Sequence, residues 1–332
     1  MDPESTSEGE FAPVKETIGP DRRDFRLQDA LVGLFPILLP SRKACKKAIQ
    51  RGQVLLNDAV ASTAGRVKPG DTVSFCPKPA PKTSPLGPNA PQNIRVIRPP
   101  EGEYALVWKP AGLATSGTGQ LNLTRVLSQL AHHGTHEQRL QLTPHIKDAL
   151  PAPQPVHRLD RATAGWVCVA LNLKAARSLG QAFEQRTVAK RYLALVSGGL
   201  TQSGSNTHPL DEKVAITHWT PLCSGPLPVH GTATLIVVHI ETGRTHQIRR
   251  HLADIGHALV GEDRYAPGQD TPKQAQPLRY TGHGLFLSAV HLSIPSGDHG
   301  PAANVEADPP KKFTQIRWVL DHLNSRGPFT TP

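Results

Sequence analysis

An aspartate with arginines on both sides is the first candidate for chemistry. Asp160 lies in the segment from Pro155 to Trp166, between Arg158 and Arg161 and directly before an apolar run. An ionised carboxylate in such a place can act as a nucleophile or as a base. The same residues can equally form a salt bridge on an exposed loop, which contributes about 0–1 kcal/mol to stability. This segment alone leaves both interpretations open.

A second group of polar residues follows a glycine turn and precedes an amphipathic helix, between Glu241 and His251. Its basic members are Arg244, His246, Arg249, Arg250 and His251. The start of a helix favours anions because its backbone N–H groups and its dipole are unsatisfied there. Zinc is not favoured, since nothing nearby in the sequence supplies a third and a fourth ligand. The alternative for the two histidines is a polar pair on a helix end.

Periodic apolar runs predict the elements that must position these segments. Strands are predicted at residues 104–108, 165–171, 191–196, 232–240 and 285–294. Helices are predicted at residues 174–186 and 245–255. Tyr192 falls inside a predicted strand, where a tyrosine is most often a core or edge aromatic. The strands are too irregularly spaced for a doubly wound parallel sheet, so we predict a mixed α+β domain.

A shorter segment of different character precedes this domain, over residues 25–76. Leucines at helical spacing are followed by Ser41 as an N-cap, a second helix at residues 42–50, and short strands and turns. The second helix is basic and has no acid among Arg42, Lys43, Lys46, Lys47 and Arg51. Like charges this close repel each other unless a polyanion neutralises them, and phosphate contacts release counterions. The helix therefore favours nucleic-acid binding over a solvated face.

Composition sets the remaining boundaries. Residues 1–24 are polar and poor in large apolar side chains, which predicts a disordered tail. Residues 77–100 contain eight prolines and no apolar period, which predicts a stiff linker before a catalytic domain at residues 101–325.

Charge and cysteine content restrict the class of protein. The formal net charge is +10, which indicates a polyanionic partner, nucleic acid first and an anionic membrane second. The four cysteines lie far apart, without the spacing of a zinc or redox motif, which favours a reducing, cytoplasmic setting. The longest apolar stretch, residues 30–39, is interrupted by Pro36 and is too short to cross a bilayer. We therefore predict no membrane partner.

In their order, the segments of the larger domain resemble the RluA family of RNA pseudouridine synthases, over about residues 100–295. The matching motifs are His157-Arg-Leu-Asp160 with Thr163 and Gly165, then Lys190, Tyr192, Ala194 and Val196, then residues 242–249 with His251, Gly256, Gly261 and Tyr265, and upstream Lys109-Pro-Ala-Gly112. The basic segment resembles the S4-like RNA-binding fold. The resemblance implies a pseudouridine synthase-like α+β catalytic domain with a mixed, mostly antiparallel sheet, beside a small α+β S4-like domain.

The resemblance also implies a reaction, the isomerisation of uridine to pseudouridine in structured RNA without metal or cofactor. Asp160 is then the essential carboxylate, Arg249 its cation partner, and Tyr192 the side chain that stacks on the extruded base. Arg158 fills the vacated space or contacts the backbone. The other substrate-binding residues that we predict are Lys109, Arg161, Arg244 and Arg250 for phosphates, together with His157 and His246.

Four departures from the family pattern leave the choice of RNA open. Ala164 stands for the usual Ser, Glu262 for the usual Asp, Ser288 for a usual His, and Thr115-Ser-Gly117 for the usual His-Pro. The S4-like domain favours large-subunit ribosomal RNA over transfer RNA as the substrate of a monomeric enzyme. Two other classes remain alternatives. A catalytically silent RNA-binding protein would not need Asp160, and a glycoside hydrolase would need a second carboxylate where this sequence has arginines.

Overall fold

The computed structural model describes residues 13–20, 24–35, 38–39, 41–76, 91, 94–117, 121–143, 149–228, 231–265 and 284–326. Within them, a small unit precedes a large one, each with a hydrophobic core. Leu38 packs against both cores, and Arg177 of the large unit forms an ion pair with Glu16 of the small unit.

The small unit combines two helices with short strands. In chain order its elements are β1 (Val14–Thr17), β2 (Phe25–Arg26), α1 (Leu27–Leu34), α2 (Arg42–Gln50), β3 (Val54–Leu56), β4 (Ala59–Val60), β5 (Arg66–Val67) and β6 (Thr72–Phe75). One sheet has the strand order β1-β6-β3-β4, and β2 pairs with β5. The predicted second helix is confirmed as α2, and the Ser41 hydroxyl caps it by accepting a hydrogen bond from the Ala44 N–H at 3.2 Å.

The prediction of a disordered tail is wrong for the residues that form β1. This strand pairs antiparallel with β6, with Val14 opposite Phe75. Ile18 follows it and is buried in the core of the small unit, with 1% of its surface exposed. The segment is polar, but pairing with β6 satisfies its backbone hydrogen bonds, and local composition does not reveal such a distant partner. Residues 1–12 lie outside the described part of the chain.

The large unit is built around one sheet with helices on both faces. Its elements are β7 (Val96–Ile97), β8 (Tyr104–Lys109), α3 (Leu123–His133), α4 (His136–Leu142), β9 (Ala149–Pro155), β10 (Ala164–Asn172), α5 (Leu173–Glu184), β11 (Ala189–Ser197), β12 (Gly204–Asn206), β13 (Thr217–Leu227), β14 (Gly231–Ile240), α6 (Gln247–Asp254), β15 (Leu287–Ile294), β16 (Ala303–Glu306), α7 (Lys311–Thr314) and α8 (Arg317–Arg326). All the strands and helices predicted for this domain are present, with shifted ends.

The sheet is mixed and mostly antiparallel, as predicted. Its strand order is β12-β13-β14-β11-β15-β10-β8-β7, with β9 also pairing with β10 and β16 with β15. The pair formed by β10 and β15, near the middle of the sheet, is parallel. Gly165 makes this pair possible, because its φ is 142° and a Cβ there would lie 2.4 Å from the Ala289 carbonyl oxygen. A glycine is therefore required where β10 begins, shortly after Asp160.

Proline-rich stretches are where the sequence prediction differs most from the structure. The linker predicted to reach residue 100 ends earlier, because β7 belongs to the sheet and Ile94 is buried in its core. Residues 77–90 lie outside the described part of the chain. The strands β9 and β13 are not predicted by the apolar pattern, since prolines interrupt it in both.

Helix packing brings the polar segments to one end of the sheet. Helices α3 and α6 cover one face through side chains that include Leu127 and Leu252. On the opposite face α5 packs through Leu179, and α7 and α8 pack through Phe313 and Val319. The loop before β10, the first part of β11 and the turn after β14 therefore line the same pocket.

Candidate active site

Asp160 lies in the loop between β9 and β10, which a buried threonine holds in place. The Thr115 hydroxyl donates to the Leu159 carbonyl at 2.9 Å and accepts from the Leu159 N–H at 3.0 Å. The Asp160 carbonyl accepts from the Thr163 N–H at 3.1 Å, which closes a turn. The backbone is thus fixed on both sides of Asp160, whose side chain keeps 19% of its surface exposed.

Lys109 ends β8 and is fully buried close to this loop. Its ammonium group donates to the carbonyl oxygens of Leu113 at 2.7 Å and Pro110 at 3.1 Å. Burial lowers the pKa of Lys109 to about 7, although the negative charge of Asp160 opposes the shift. The prediction that Lys109 contacts a phosphate is wrong, because an ammonium group without exposed surface cannot reach one.

Arg161 connects the Asp160 loop with the turn after β8. The Arg161 carbonyl accepts from the Gly112 N–H at 2.7 Å, and its Nε donates to the Gly112 carbonyl at 2.9 Å. Arg161 is exposed, so it joins the two loops while its guanidinium still faces solvent. A contact with phosphate is compatible with this position.

Among the described residues, the basic side chain that comes within 4 Å of the Asp160 carboxylate is that of His246. The distance from its Nε2 to Asp160 Oδ1 is 3.9 Å. Its φ of 55° places it in the left-handed region at the N-cap of α6. The ring of His246 is held by a hydrogen bond of 2.8 Å between its Nδ1 and the Tyr265 hydroxyl. Burial lowers the pKa of His246, and the charge of Asp160 counteracts that shift.

Arg249 is buried on α6 and pairs with acids other than the one predicted. Its guanidinium binds both carboxylate oxygens of Glu262, one of them from Nε at 2.8 Å, and it also contacts Asp263 at 2.8 Å. The predicted direct pair with Asp160 is therefore not formed in the described part of the chain. Burial alone would lower the pKa of Arg249, but the hydrogen bond and charge of Glu262, with smaller effects of Asp263 and Asp160, raise it.

Glu262 explains why Arg249 turns away from Asp160. The Glu262 side chain is 1% exposed and needs a counter-charge, which Arg249 supplies. Its Oε1 also accepts from the backbone N–H groups of Asp263 at 3.0 Å and Arg264 at 2.9 Å. The carboxylate thereby fixes both α6 and the turn that follows Gly261.

Asp160, Arg158, Tyr192 and Arg249 line one pocket of about 80 Å³. Tyr192 points into it from β11 and is 7% exposed, and burial together with the charge of Asp160 raises its pKa. Arg158 is exposed at the pocket. The site therefore combines a carboxylate, a buried aromatic ring and cations in one place.

The other predicted substrate-binding residues divide into two groups. Arg244 lines the pocket, held by a hydrogen bond of 2.9 Å from its Nε to the Val214 carbonyl. Arg250 instead points to Asp211, with oxygens at 3.2 and 3.1 Å, and does not line the pocket. His157 lies in a neighbouring cavity, where its ring stacks on Phe183.

The basic face of α2 is exposed, as the sequence indicates. Lys43, Lys46, Lys47 and Arg51 are exposed, while the apolar face of the helix packs into the core of the small unit. Arg42 forms an ion pair of 2.8 Å with Asp29 of α1, which the pattern of an acid-free helix does not predict.

Some residues that build the site are not recognised from the sequence. In the sequence, Thr115 and Glu262 stand out only because they replace the residues that are usual in the family. Gln247 accepts from the Thr242 hydroxyl at 2.7 Å and from the Arg244 N–H at 3.0 Å, which shapes the turn before α6. Most of these roles depend on partners far away in the chain, and local spacing does not identify such partners.

Neither a metal-binding cluster nor a membrane span is found in the part of the chain that the structure describes. Its residues contain no group of three or more His, Cys, Asp or Glu side chains that could hold a metal ion. None of the helices in the same described ranges combines the length and the hydropathy needed to cross a bilayer.

Comparison with known proteins connects this geometry with a reaction. A family model described as RNA pseudouridylate synthase matches residues 103–254. The ribosomal large subunit pseudouridine synthase D of Xylella fastidiosa is 32% identical, over 84% of this chain and 83% of that protein. The protein of the same name from Xanthomonas campestris pv. campestris is 30% identical, over 98% of both chains.

A solved structure agrees in fold. The human RNA pseudouridylate synthase domain containing 4 has a TM-score of 0.50 at 22% identity, and the match covers 69% of this chain and 91% of that one. This likeness concerns the fold alone, whereas the sequence relatives carry the assignment. The chain belongs to the RluA family of RNA pseudouridine synthases, isomerases that convert uridine to pseudouridine in RNA.

Proposed function

We propose that the chain isomerises uridine in large-subunit ribosomal RNA, with Asp160 as its essential carboxylate. The observation that carries this proposal is the single pocket lined by Asp160, Tyr192, Arg158 and Arg249. Relatives named ribosomal large subunit pseudouridine synthase D support the choice of RNA, since they match 84% and 98% of this chain. Such a substrate implies that the chain acts in the cytoplasm.

The reaction conserves the atoms of the uridine. The glycosidic carbon–nitrogen bond breaks, the base turns within the pocket, and the same sugar carbon joins a carbon of the ring. The proton displaced from that ring carbon is lost, and the freed nitrogen takes one up. Asp160 acts on the sugar during these steps, so its carboxylate must be ionised and held still.

Positive charges around Asp160 support this role. The Arg249 guanidinium and the protonated form of Lys109 interact with its charge at longer range, while His246, whose pKa is lowered by burial, lies 3.9 Å from the carboxylate as a polar neighbour. In a site with little water, such attraction is several times stronger than in solution. The same cations attract the Asp160 carboxylate, which the reaction needs as an anion. The Thr115 hydrogen bonds keep the loop of Asp160 in position.

The target uridine reaches Asp160 by leaving its stack in the RNA. Extrusion of a base costs a few kcal/mol, and stacking on an aromatic side chain returns about 1–3 kcal/mol. Tyr192 is the aromatic ring of the pocket and supplies this contact. Arg158 is exposed at the same pocket, from which it can enter the vacated stack when the base leaves it.

The small unit holds the RNA outside the pocket. We assign it an S4-like role, in which the exposed Lys43, Lys46, Lys47 and Arg51 contact phosphates. Arg42 contributes less, since Asp29 neutralises part of its charge. Arg161 and Arg244 extend the basic surface to the catalytic pocket.

The test is to incubate the purified protein with unmodified large-subunit ribosomal RNA, and separately with unmodified transfer RNA, and to map new pseudouridines. We expect the wild type to modify ribosomal RNA and Asp160→Asn to modify none. The control is Asp321→Asn, which removes a 60% exposed carboxylate on α8 and should leave the activity unchanged.

Each outcome decides a separate part of the proposal. Modification by Asp160→Asn at the wild-type level would remove Asp160 as the essential residue. Modification of transfer RNA alone would overturn the choice of substrate. RNA binding without any pseudouridine would identify a catalytically silent binder.

A further inference from the structure

A second and larger cavity adjoins the pocket at Asp160. Its volume is about 490 Å³, compared with about 80 Å³ for the catalytic pocket. Both are lined by Arg158, Tyr192, Ile240, Gly243 and Arg244. The larger cavity has the volume of a ligand site, so the two together form one groove with room for more than the target base. We call it the Phe183 cavity, after a residue that lines it together with His157 and Lys190.

One wall of the Phe183 cavity is flat, aromatic and uncharged. The rings of His157 and Phe183 stack with centroids 4.5 Å apart and 22° between their planes. The Cys168 N–H donates to His157 Nε2 at 2.9 Å, so the neutral ring carries its proton on Nδ1. Burial and the nearby Lys190 lower the pKa of His157 to about 3, which keeps the ring neutral. Such a wall suits a nucleobase. Every base has a π-face that can contact the aromatic rings, and carbonyl or ring-nitrogen acceptors that can accept a hydrogen bond from His157 Nδ1.

The rim of the cavity carries an excess of positive charge. Its cations are Arg158, Arg186, Lys190 and Arg244, and its acids are Glu184 and Glu241. Glu241 is already engaged by His218 at 2.9 Å and by Arg186 at 3.9 Å. The Lys190 ammonium lies over the Phe183 ring, 5.8 Å from its centre, so the cation and the aromatic pair are in contact. A cation beside a flat apolar wall matches the two parts of a nucleotide, its phosphate and its base.

We propose that the Phe183 cavity is a subsite for one nucleotide adjacent to the target uridine in the same RNA strand. Its base lies against the pair formed by His157 and Phe183, and its phosphate contacts Lys190. The strand passes between the two cavities at Arg158 and Tyr192, which line both. This inference rests on the proposed function. It adds that His157, Phe183 and Lys190 contribute to the choice of the RNA sequence around the modified uridine.

The test is a coupling experiment on a short RNA that spans the modified uridine. Single abasic nucleotides are placed on either side of the target, one at a time, and kcat/KM is measured for the wild type and for Phe183→Leu. We expect one abasic position to lower the wild-type kcat/KM by roughly 5- to 150-fold, equivalent to about 1–3 kcal/mol of stacking. The same abasic position should change the kcat/KM of Phe183→Leu by less than about two-fold.

Three variants separate the subsite from a general effect of the mutation. Phe183→Tyr keeps an aromatic face and should retain the abasic penalty, whereas Phe183→Leu keeps apolar packing of α5 and should lose it. Leu140→Ala removes a 56% exposed apolar side chain on α4 and should retain the full penalty. An equal penalty in the wild type and Phe183→Leu would overturn the subsite while leaving the activity intact. A wild type that forms no pseudouridine in any RNA would overturn the proposed function, and the subsite with it.

Discussion

Basic side chains occur in two contrasting settings, buried around Asp160 and exposed on α2. Arg249 is 4% exposed and Lys109 has no exposed surface, and each has fixed partners within the protein. On α2, Lys43, Lys46 and Lys47 are exposed and lie on one side of a helix whose other side is packed.

The difference separates two tasks of positive charge. A buried cation loses its hydration and is stable only with partners in place, so its removal disturbs geometry and folding. An exposed cation is screened by salt and contributes little to folding, but it can replace a counterion on a phosphate. The buried set should therefore control stability and reactivity, and the exposed set should control how RNA binding responds to salt.

The largest expected effect on the free energy of unfolding follows from the loss of the Arg249 ion pair. Arg249→Met leaves Glu262 buried without its counter-charge, and we expect the free energy of unfolding to fall by about 3–5 kcal/mol. Arg317→Met is the matched control, because this arginine is 88% exposed and forms its ion pair with Asp321 on the surface of α8. Denaturant unfolding measures both changes.

A double mutant shows whether the cause is the unpaired carboxylate. Arg249→Met combined with Glu262→Gln should recover part of the lost stability, since Glu262 then no longer carries a buried charge without its partner. A loss below about 1 kcal/mol in the single variant, comparable with a surface pair, would end the contrast between the two settings.

Lys109 provides the next test, through pH. Its folded pKa of about 7 lies below the usual value of 10.5, so between these values the unfolded chain binds more protons than the folded one. The contribution of Lys109 to stability therefore rises with pH, by about 1.4 kcal/mol between about pH 6 and pH 8. The difference in unfolding free energy between the wild type and Lys109→Met should follow this curve.

The control for this titration is a lysine at the surface. Lys174→Met removes an ammonium group that is 62% exposed, and the pH dependence measured for this variant is subtracted from that of Lys109→Met. If no difference remains between the two variants, the Lys109 ammonium group keeps an ordinary pKa despite its burial.

The sequence predicts which of the proposed site residues share a pocket better than it predicts the residues that support them. Asp160, Tyr192 and Arg158 are recognised by motif, and the structure brings them into one pocket. The roles of Lys109 and Arg249 are not predicted correctly, because a motif shows which residue is present but not how deeply it is buried. Lys109 becomes inaccessible only when β8 pairs with β10 and the following turn closes over it.

The fold shows the same limit. Strands with uninterrupted apolar runs, such as β10 and β11, are predicted from the sequence because the run itself indicates their burial. In contrast, β1 is missed because its residues are polar and its partner β6 is distant in the chain, with Val14 opposite Phe75. A short, polar strand such as β1 has no apolar run from which it could be predicted, whatever the distance to its partner in the chain.

The smallest expected effect on folding, with a clear effect on binding, comes from the exposed set. In the triple variant Lys43→Gln, Lys46→Gln and Lys47→Gln, we expect a change in unfolding free energy within about 0.5 kcal/mol. The slope of log Kd against log salt for ribosomal RNA should become shallower by up to about one unit for each phosphate that the helix no longer neutralises.

The matched control for this variant removes three exposed cations from the large unit, Lys213, Lys311 and Arg317, by substitution with Gln. Its net charge equals that of the α2 variant, so a shared change in slope would mean that only total charge matters. A change confined to the α2 variant would locate the phosphate contacts on that helix. Counterion release depends on direct phosphate contacts, whereas long-range attraction depends on net charge. The comparison of the two slopes therefore shows whether RNA binds to the α2 surface or is attracted only by the net positive charge of the protein.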